Sequence, residues 1–88
     1  MDLTSKIILI TGGGSGIGLE LTRQLVALGN TVIICGRDAG KLTEAARAAG
    51  AQAIAGDVTV AEDQERILSE IEEQHGRLDL LINNAGVF

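Results

Sequence analysis

Ile7-Ile8-Leu9-Ile10 is an unbroken apolar run, and the chain passes from it straight into Thr11-Gly12-Gly13-Gly14-Ser15-Gly16-Ile17-Gly18. A short run rich in β-branched residues marks a strand buried on both faces, as in parallel sheets covered by helices on each side. A glycine-rich stretch after such a strand can turn tightly, let another molecule approach the main chain, and present free helix N-terminal amides to an anion. A buried strand running through such a loop into a helix is the start of a βαβ unit. No other feature restricts the possible folds as strongly.

The rest of the chain repeats the alternation. After the loop, Ile17, Leu21, Leu25 and Leu28 form a helical stripe, with Gly29 as its stop. Thr31-Val32-Ile33-Ile34-Cys35 reads as a second buried strand. Asp38 is placed to cap the next helix, whose small inner face is Leu42, Ala45, Ala46 and Ala49, and Gly50 ends it. Ala51 to Ala55 reads as a third strand. Thr59 and Glu62 have capping-box spacing for a third helix, with Val60, Ile67, Ile71 and Leu68 apolar and Gly76 as its stop. Leu78 to Ile82 is the fourth strand, followed by Asn83-Asn84-Ala85-Gly86. Strands alternating with helices in the order βαβαβαβ imply a parallel sheet with right-handed crossovers. Residues 1–88 form a single domain on this reading.

The loop sits where a dinucleotide fingerprint requires, after the first strand and opening the first helix. Gly12 can make the turn, Gly16 can admit a pyrophosphate, and Gly18 can let the helix pack closely on the sheet. No Gly-Lys-Ser/Thr ends the loop, so a P-loop is excluded. The first two fingerprint glycines are separated by three residues, where the commoner dinucleotide motif has one.

Thr11 to Gly18 with this spacing resembles the short-chain dehydrogenase/reductase family. Asn83-Asn84-Ala85-Gly86 resembles that family's second signature, and Asp57-Val58 after the third strand resembles its adenine-contacting pair. The resemblance runs from Lys6 onward. It implies an α/β fold, a Rossmann-type doubly wound parallel sheet in strand order 3-2-1-4 that lacks the C-terminal half. It also implies that Gly12, Ser15, Gly16, Ile17 and Gly18 surround the pyrophosphate and neighbouring ribose. Asp57 and Val58 would line the adenine, Asn84 would meet the ribose region, and Asn83, Ala85 and Gly86 would fix the loop against the first strand.

Dinucleotide folds that prefer NAD place an acid about twenty residues beyond the loop to bind the ribose 2′-OH. Here that region reads Cys35-Gly36-Arg37. An Arg suits a 2′-phosphate through charge-assisted hydrogen bonds, which points to NADP(H), with NAD(H) as the alternative. Cys35 reads as a strand-end core residue, and His75 lies in the last turn of the third helix, where a partial positive charge suits the dipole.

The family resemblance also implies a Ser, a Tyr-x-x-x-Lys arrangement and an Asn for hydride transfer, the Tyr acting as acid and base. This chain has no Tyr, and Ser5, Ser15 and Ser69 lie in the terminus, the loop and a helix. These 88 residues are therefore expected to hold a cofactor without catalysing the family's reaction alone. Two readings remain: the cofactor-binding portion of an oxidoreductase, or a stand-alone nucleotide-binding module without catalysis. An uncovered apolar fourth strand is expected to drive homo-oligomer or strand-swapped assembly. A net charge of −5 argues against nucleic acid or an anionic membrane surface as partner. A single Cys fits a reducing compartment, and no basic-then-apolar leader opens the chain, so the cytoplasm is expected.

Overall fold

The computed structural model describes residues 4–14 and 16–84. Its elements are β1 (Ile7–Thr11), α1 (Gly16–Ala27), β2 (Thr31–Gly36), α2 (Ala39–Ala49), β3 (Gln52–Ala55), α3 (Ala61–His75) and β4 (Leu80–Asn83). All strands pair in parallel in the order β3-β2-β1-β4, as expected for a Rossmann-like sheet. Because the strands are parallel, their C-terminal ends gather along one edge, where the glycine loop begins.

Side-chain alternation along the inner strands builds two cores. Ile8, Ile10, Val32 and Ile34 face α1 and α2, where Leu25, Leu42, Ala45 and Ala46 meet them. Ile7, Leu9, Ile33, Cys35 and Ile54 face α3, which contributes Ile67 and Ile71. The small residues of α2 let that helix lie close to the sheet, and Asp38 caps it by accepting from the Lys41 N–H. α2 and α3 end at Gly50 and Gly76, both left-handed with φ of 76° and 77°.

Three local expectations are corrected. In α1 the buried face is Gly18, Thr22 and Leu25, whereas Ile17 is 82% exposed and Leu28 53% exposed. The close seat of Gly18 on the loop rotates the helix, and the Thr22 hydroxyl is buried at no polar cost because it donates to the Gly18 carbonyl at 2.7 Å. In α3 no Thr59–Glu62 capping box forms. Val60 is the N-cap without a side-chain bond, and the Thr59 hydroxyl donates instead to Asp57 Oδ1 at 2.6 Å. The charge-assisted bond holds the Thr59 side chain at Asp57, and the helix starts one residue later than the box requires, with Val60 in the N-cap position. The α3 stripe also narrows to Ile67 and Ile71, with Val60 and Leu68 exposed.

The fourth strand starts later than the apolar run suggests, at Leu80, and extends through Asn83. Leu78 packs instead against the α3-side core. Between them Asp79 acts as a clamp: its Oδ2 accepts from the Ile7 N–H at 2.8 Å and from Arg77 Nε at 2.9 Å. Arg77 in turn donates to the Ser5 carbonyl at 3.1 Å, joining the starts of β1 and β4.

The Ile7 N–H bond, followed by the Arg77 bond, holds the Asp79 carboxyl below the usual carboxylate value. A depressed folded-state pKa adds stability above the unfolded value of about 3.9, and that stability is lost as pH falls through the folded value. Asp79→Asn is therefore expected to lower the unfolding midpoint at pH 7. The gap from the wild type should close as acid is added below about pH 4. Thermal melts across that range check this; a gap that stays constant with pH would refute the charge-based account.

Candidate dinucleotide site

At the C-terminal edge of the sheet, β1 and β4 are tied by one hydroxyl. Thr11, only 4% exposed, donates from Oγ1 to Asn83 Oδ1 at 2.9 Å and accepts from the Asn84 N–H at 2.9 Å. The Asn84 amide then donates to the Gly12 carbonyl at 3.2 Å. Gly12 N–H reaches sideways to the Cys35 carbonyl at 3.0 Å, so the loop is fixed to both neighbours of β1. Asn83 thus takes the loop-fixing role expected of it, and Asn84 shares in that role. Ser15, Ala85 and Gly86 lie outside the described residues.

The loop backbone is shaped by what it excludes. A Cβ on Gly18 would strike the Gly12 carbonyl oxygen and lie 2.7 Å from Asn84 Nδ2. A Cβ on Gly13 would lie 2.8 Å from Ile34 Cβ. At Gly16 the opposite holds: φ is +57°, and nothing lies within 4 Å of a Cβ position. Gly16 opens α1, and the neighbouring Ile17 is exposed, so the loop offers a helix N-terminus and an uncovered main chain. An anion of pyrophosphate type fits this arrangement, because helix N-terminal amides lack internal partners.

The ends of β2 and β3 complete the edge. A hollow of about 550 Å³ is lined by Gly12, Gly36, Arg37, Asp57, Val58 and Asn83, among others. A smaller one of about 150 Å³ shares Gly12, Gly36 and Arg37 with it and extends over Gly14 towards the start of α2. Arg37 therefore stands between two lobes of one groove. Asp57 Oδ1 accepts from the Thr59 hydroxyl and, at 2.9 Å, from the Thr59 N–H. Those two bonds, with the nearby Arg37 charge, hold the Asp57 carboxyl below its usual value, so it is ionised at neutral pH. Asp63 orients the same residue by accepting from the Asp57 N–H at 2.7 Å. Cys35 is fully buried under the groove, and burial pushes its thiol up to about 11, which fits a core residue rather than a nucleophile. No group of three or more His, Cys, Asp or Glu is arranged for a metal among the described residues.

Sequence reasoning placed Gly12, Gly16, Ile17, Gly18, Arg37, Asp57, Val58 and Asn84 at this edge, and the fold brings all of them there. It assigned no role to Thr11, Thr59 or Asp63, which hold those residues in place. The signal for Thr11 was its position as a polar residue ending an apolar strand immediately before the first glycine.

The architecture is that of a Rossmann-like α/β protein, and comparison with known sequences narrows it. The family model for short chain dehydrogenases matches residues 6–88. The chain is 40% identical over 88 residues to the uncharacterized oxidoreductase DltE of Bacillus subtilis (strain 168), covering 99% of this chain and 35% of the relative. It is 38% identical over 90 residues to galactitol 2-dehydrogenase of Agrobacterium fabrum, covering 100% of this chain and 35% of that protein. L-Sorbose reductase from Gluconobacter frateurii, solved in complex with NADPH and L-sorbose, superposes with a TM-score of 0.91 at 30% identity. That match covers 99% of this chain and 36% of the reductase. The NADP active-site complex of Pseudomonas aeruginosa RhlG gives a TM-score of 0.90 at 36% identity, over 98% of this chain and 36% of RhlG. The chain belongs to the short-chain dehydrogenase family, and it spans about a third of the length of these relatives.

Gly18→Ala is expected to cost about 1–3 kcal/mol of stability, since backbone on the loop must move to admit the methyl group. Gly40→Ala is the control. It lies within α2, a Cβ there would sit 3.8 Å from Asp38 Oδ1, and helix propensity favours Ala by about 0.5–1 kcal/mol. Urea unfolding of both variants should give opposite signs; equal effects would show that the Gly18 contact is not the constraint.

Proposed function

We propose that this chain is the cofactor-binding portion of a short-chain oxidoreductase and that it binds NADP(H) in preference to NAD(H). The observation that carries the preference is Arg37, which follows the end of β2 and lines both lobes of the groove. NAD-preferring sites of this fold put an acid in that region, whereas a guanidinium binds a phosphate through parallel charge-assisted bonds. Two of the structural relatives, described as complexes with NADPH and NADP, support the same reading.

On this reading the Gly12–Gly18 loop and the α1 N-terminus bind the pyrophosphate, with Ser15 and Ile17 beside it. Asp57 and Val58 bound the adenine lobe, the second carboxylate oxygen of Asp57 having no partner among the described residues. Asn84 bounds the ribose region while holding the Gly12 carbonyl. The bound nicotinamide supplies or accepts a hydride in the whole protein. These 88 residues contain no Tyr to serve as the acid and base, so the chain by itself binds and orients the cofactor without turnover. That property is also what a stand-alone binding module would show.

Fluorescence titration with NADPH and NADH tests the preference. NADPH is expected to bind at least tenfold more tightly, and Arg37→Gln to remove most of that difference, one charge-assisted phosphate contact being worth about 1.5–3 kcal/mol. Equal or tighter NADH binding defeats the proposal.

Assembly is proposed on separate grounds. β4 is an edge strand in the described sheet, and Leu81 and Leu68 are 54% and 48% exposed. They border an apolar hollow of about 230 Å³ that also touches Leu9, Val58 and Ile67. An uncovered apolar edge is a template for a second copy, by edge pairing or strand exchange. Light scattering on the 88-residue chain should give a mass above that of the monomer, and Leu81→Lys should reduce it. A monodisperse wild-type monomer would contradict the proposal. The one Cys is buried and unpaired, and a cytoplasmic setting is proposed on that ground. No helix among the described residues is long and apolar enough to cross a membrane.

A further inference from the structure

The loop that borders the larger lobe of the groove is held by α3 as well as by the sheet. Arg66 Nη2 donates to the carbonyl of Ala55, the last residue of β3, at 2.7 Å. One turn earlier, Asp63 Oδ2 accepts from the Asp57 N–H at 2.7 Å, and the Gln64 amide donates to the Val58 carbonyl. Three neighbouring side chains of α3 therefore fix the main chain on both sides of Gly56. A Cβ at Gly56 would lie 2.8 Å from Arg66 Nη2, so the guanidinium rests where that residue has no side chain. Arg66 Nη2 also stands 3.8 Å from Asp63 Oδ1, and Glu70 flanks the guanidinium at 3.6 Å. The proposed cofactor contacts leave Asp63, Gln64 and Arg66 unused.

We propose that Asp63 is a positioning residue for purine selection. By fixing the Asp57 main chain it aims the Asp57 carboxylate, so that a base with an exocyclic amino group is favoured over one with a carbonyl there. The proposal rests on the reading that the chain binds a nicotinamide dinucleotide with its base beside Asp57. Asp57 lines the hollow of about 550 Å³, and its Oδ1 is committed to the Thr59 hydroxyl and N–H. Its Oδ2 has no partner among the described residues. An ionised carboxylate only accepts, so that oxygen attracts an amino group and repels a carbonyl oxygen. The preference requires the oxygen to be held in place, because hydrogen bonds weaken steeply away from their best angle and length. Thr59 holds one end of the Asp57 side chain, and Asp63 holds the peptide plane from which that side chain springs. Without the Asp63 acceptor that plane can turn, and the free oxygen turns with it. Arg66, bonded to β3 and paired with Asp63, keeps the Asp63 carboxylate at the loop. The charges on the loop are offset in the same way, Asp57 by the nearby Arg37 and Asp63 by Arg66.

The test is fluorescence titration of the 88-residue chain with NADPH and with its hypoxanthine analogue, in which a carbonyl replaces the 6-amino group of adenine. Wild type is expected to bind NADPH about tenfold more tightly than the analogue, the worth of one hydrogen bond to a charged acceptor. Asp63→Ala should reduce that ratio to within about twofold, chiefly by weakening NADPH. Asp63→Asn keeps an acceptor oxygen for the Asp57 N–H and should retain a ratio of about fivefold or more. Asp63 is half-buried in the first turn of α3 and Ala favours helix, so Asp63→Ala should fold, which circular dichroism verifies. If it does not, Asp63→Glu keeps the charge at the helix start while moving the carboxylate by one methylene, and it carries the same expectation. A base preference that survives Asp63→Ala, one lost as fully in Asp63→Asn, or none in the wild type overturns the role of Asp63 and leaves the cofactor reading intact. A folded wild-type chain that binds neither nucleotide overturns the cofactor reading and this proposal with it.

Discussion

The buried hydroxyl of Thr11 carries the arrangement of the whole functional edge. It donates to Asn83 and accepts from Asn84, while its own strand pairs with β2 and β4 on either side. A hydroxyl is suited to this because it is donor and acceptor at once, and a buried amide left without a partner costs about 1–3 kcal/mol. Through that one group the end of the last strand and the start of the glycine loop become a single rigid object. The Asn84 amide then reaches the Gly12 carbonyl, and the same two groups crowd Gly18. Two stretches of sequence that look like separate motifs are therefore two halves of one joint.

That joint also decides how α1 lies. With Gly18 pressed against the loop, the face that meets the sheet is set by contact at the first turn rather than by the distribution of leucines along the helix. Thr22 follows Gly18 onto the buried face, and its hydroxyl turns back to the Gly18 carbonyl. Ile17 is left on the outside beside the uncovered main chain of Gly16. An apolar residue that periodicity assigns to the core is thus left exposed beside the glycine loop.

The sheet and its order were legible because both periods, the helix stops at Gly50 and Gly76, and the Asp38 cap all agree with one topology. What was not legible depends on contacts between distant residues or on competition among polar groups. Periodicity cannot show that Gly18 must touch Gly12. Capping-box spacing cannot show that Thr59 donates to Asp57 and that Val60 takes the N-cap position. The apolar run Leu78 to Ile82 looks continuous, yet Asp79 turns to clamp Ile7 and only the residues from Leu80 join the ladder. At the groove, glycines, Arg37 and Asp57 stood out by type and position. Asp63 did not, because only the fold reveals that the first turn of α3 sets it against the Asp57 N–H.

The strand order has a consequence for the time course of folding. β1, β2 and β3 are joined through consecutive βα units, but the bonds from Thr11 to Asn83 and Asn84 close separations of 72 and 73 residues. Closure entropy and the lateness of distant contacts put that step near the end of folding. On the ribosome, the start of the glycine loop emerges more than seventy residues before Asn83 and Asn84 and waits, incompletely shaped, until β4 has followed it. The glycine loop is thus made well before the strand that finishes it.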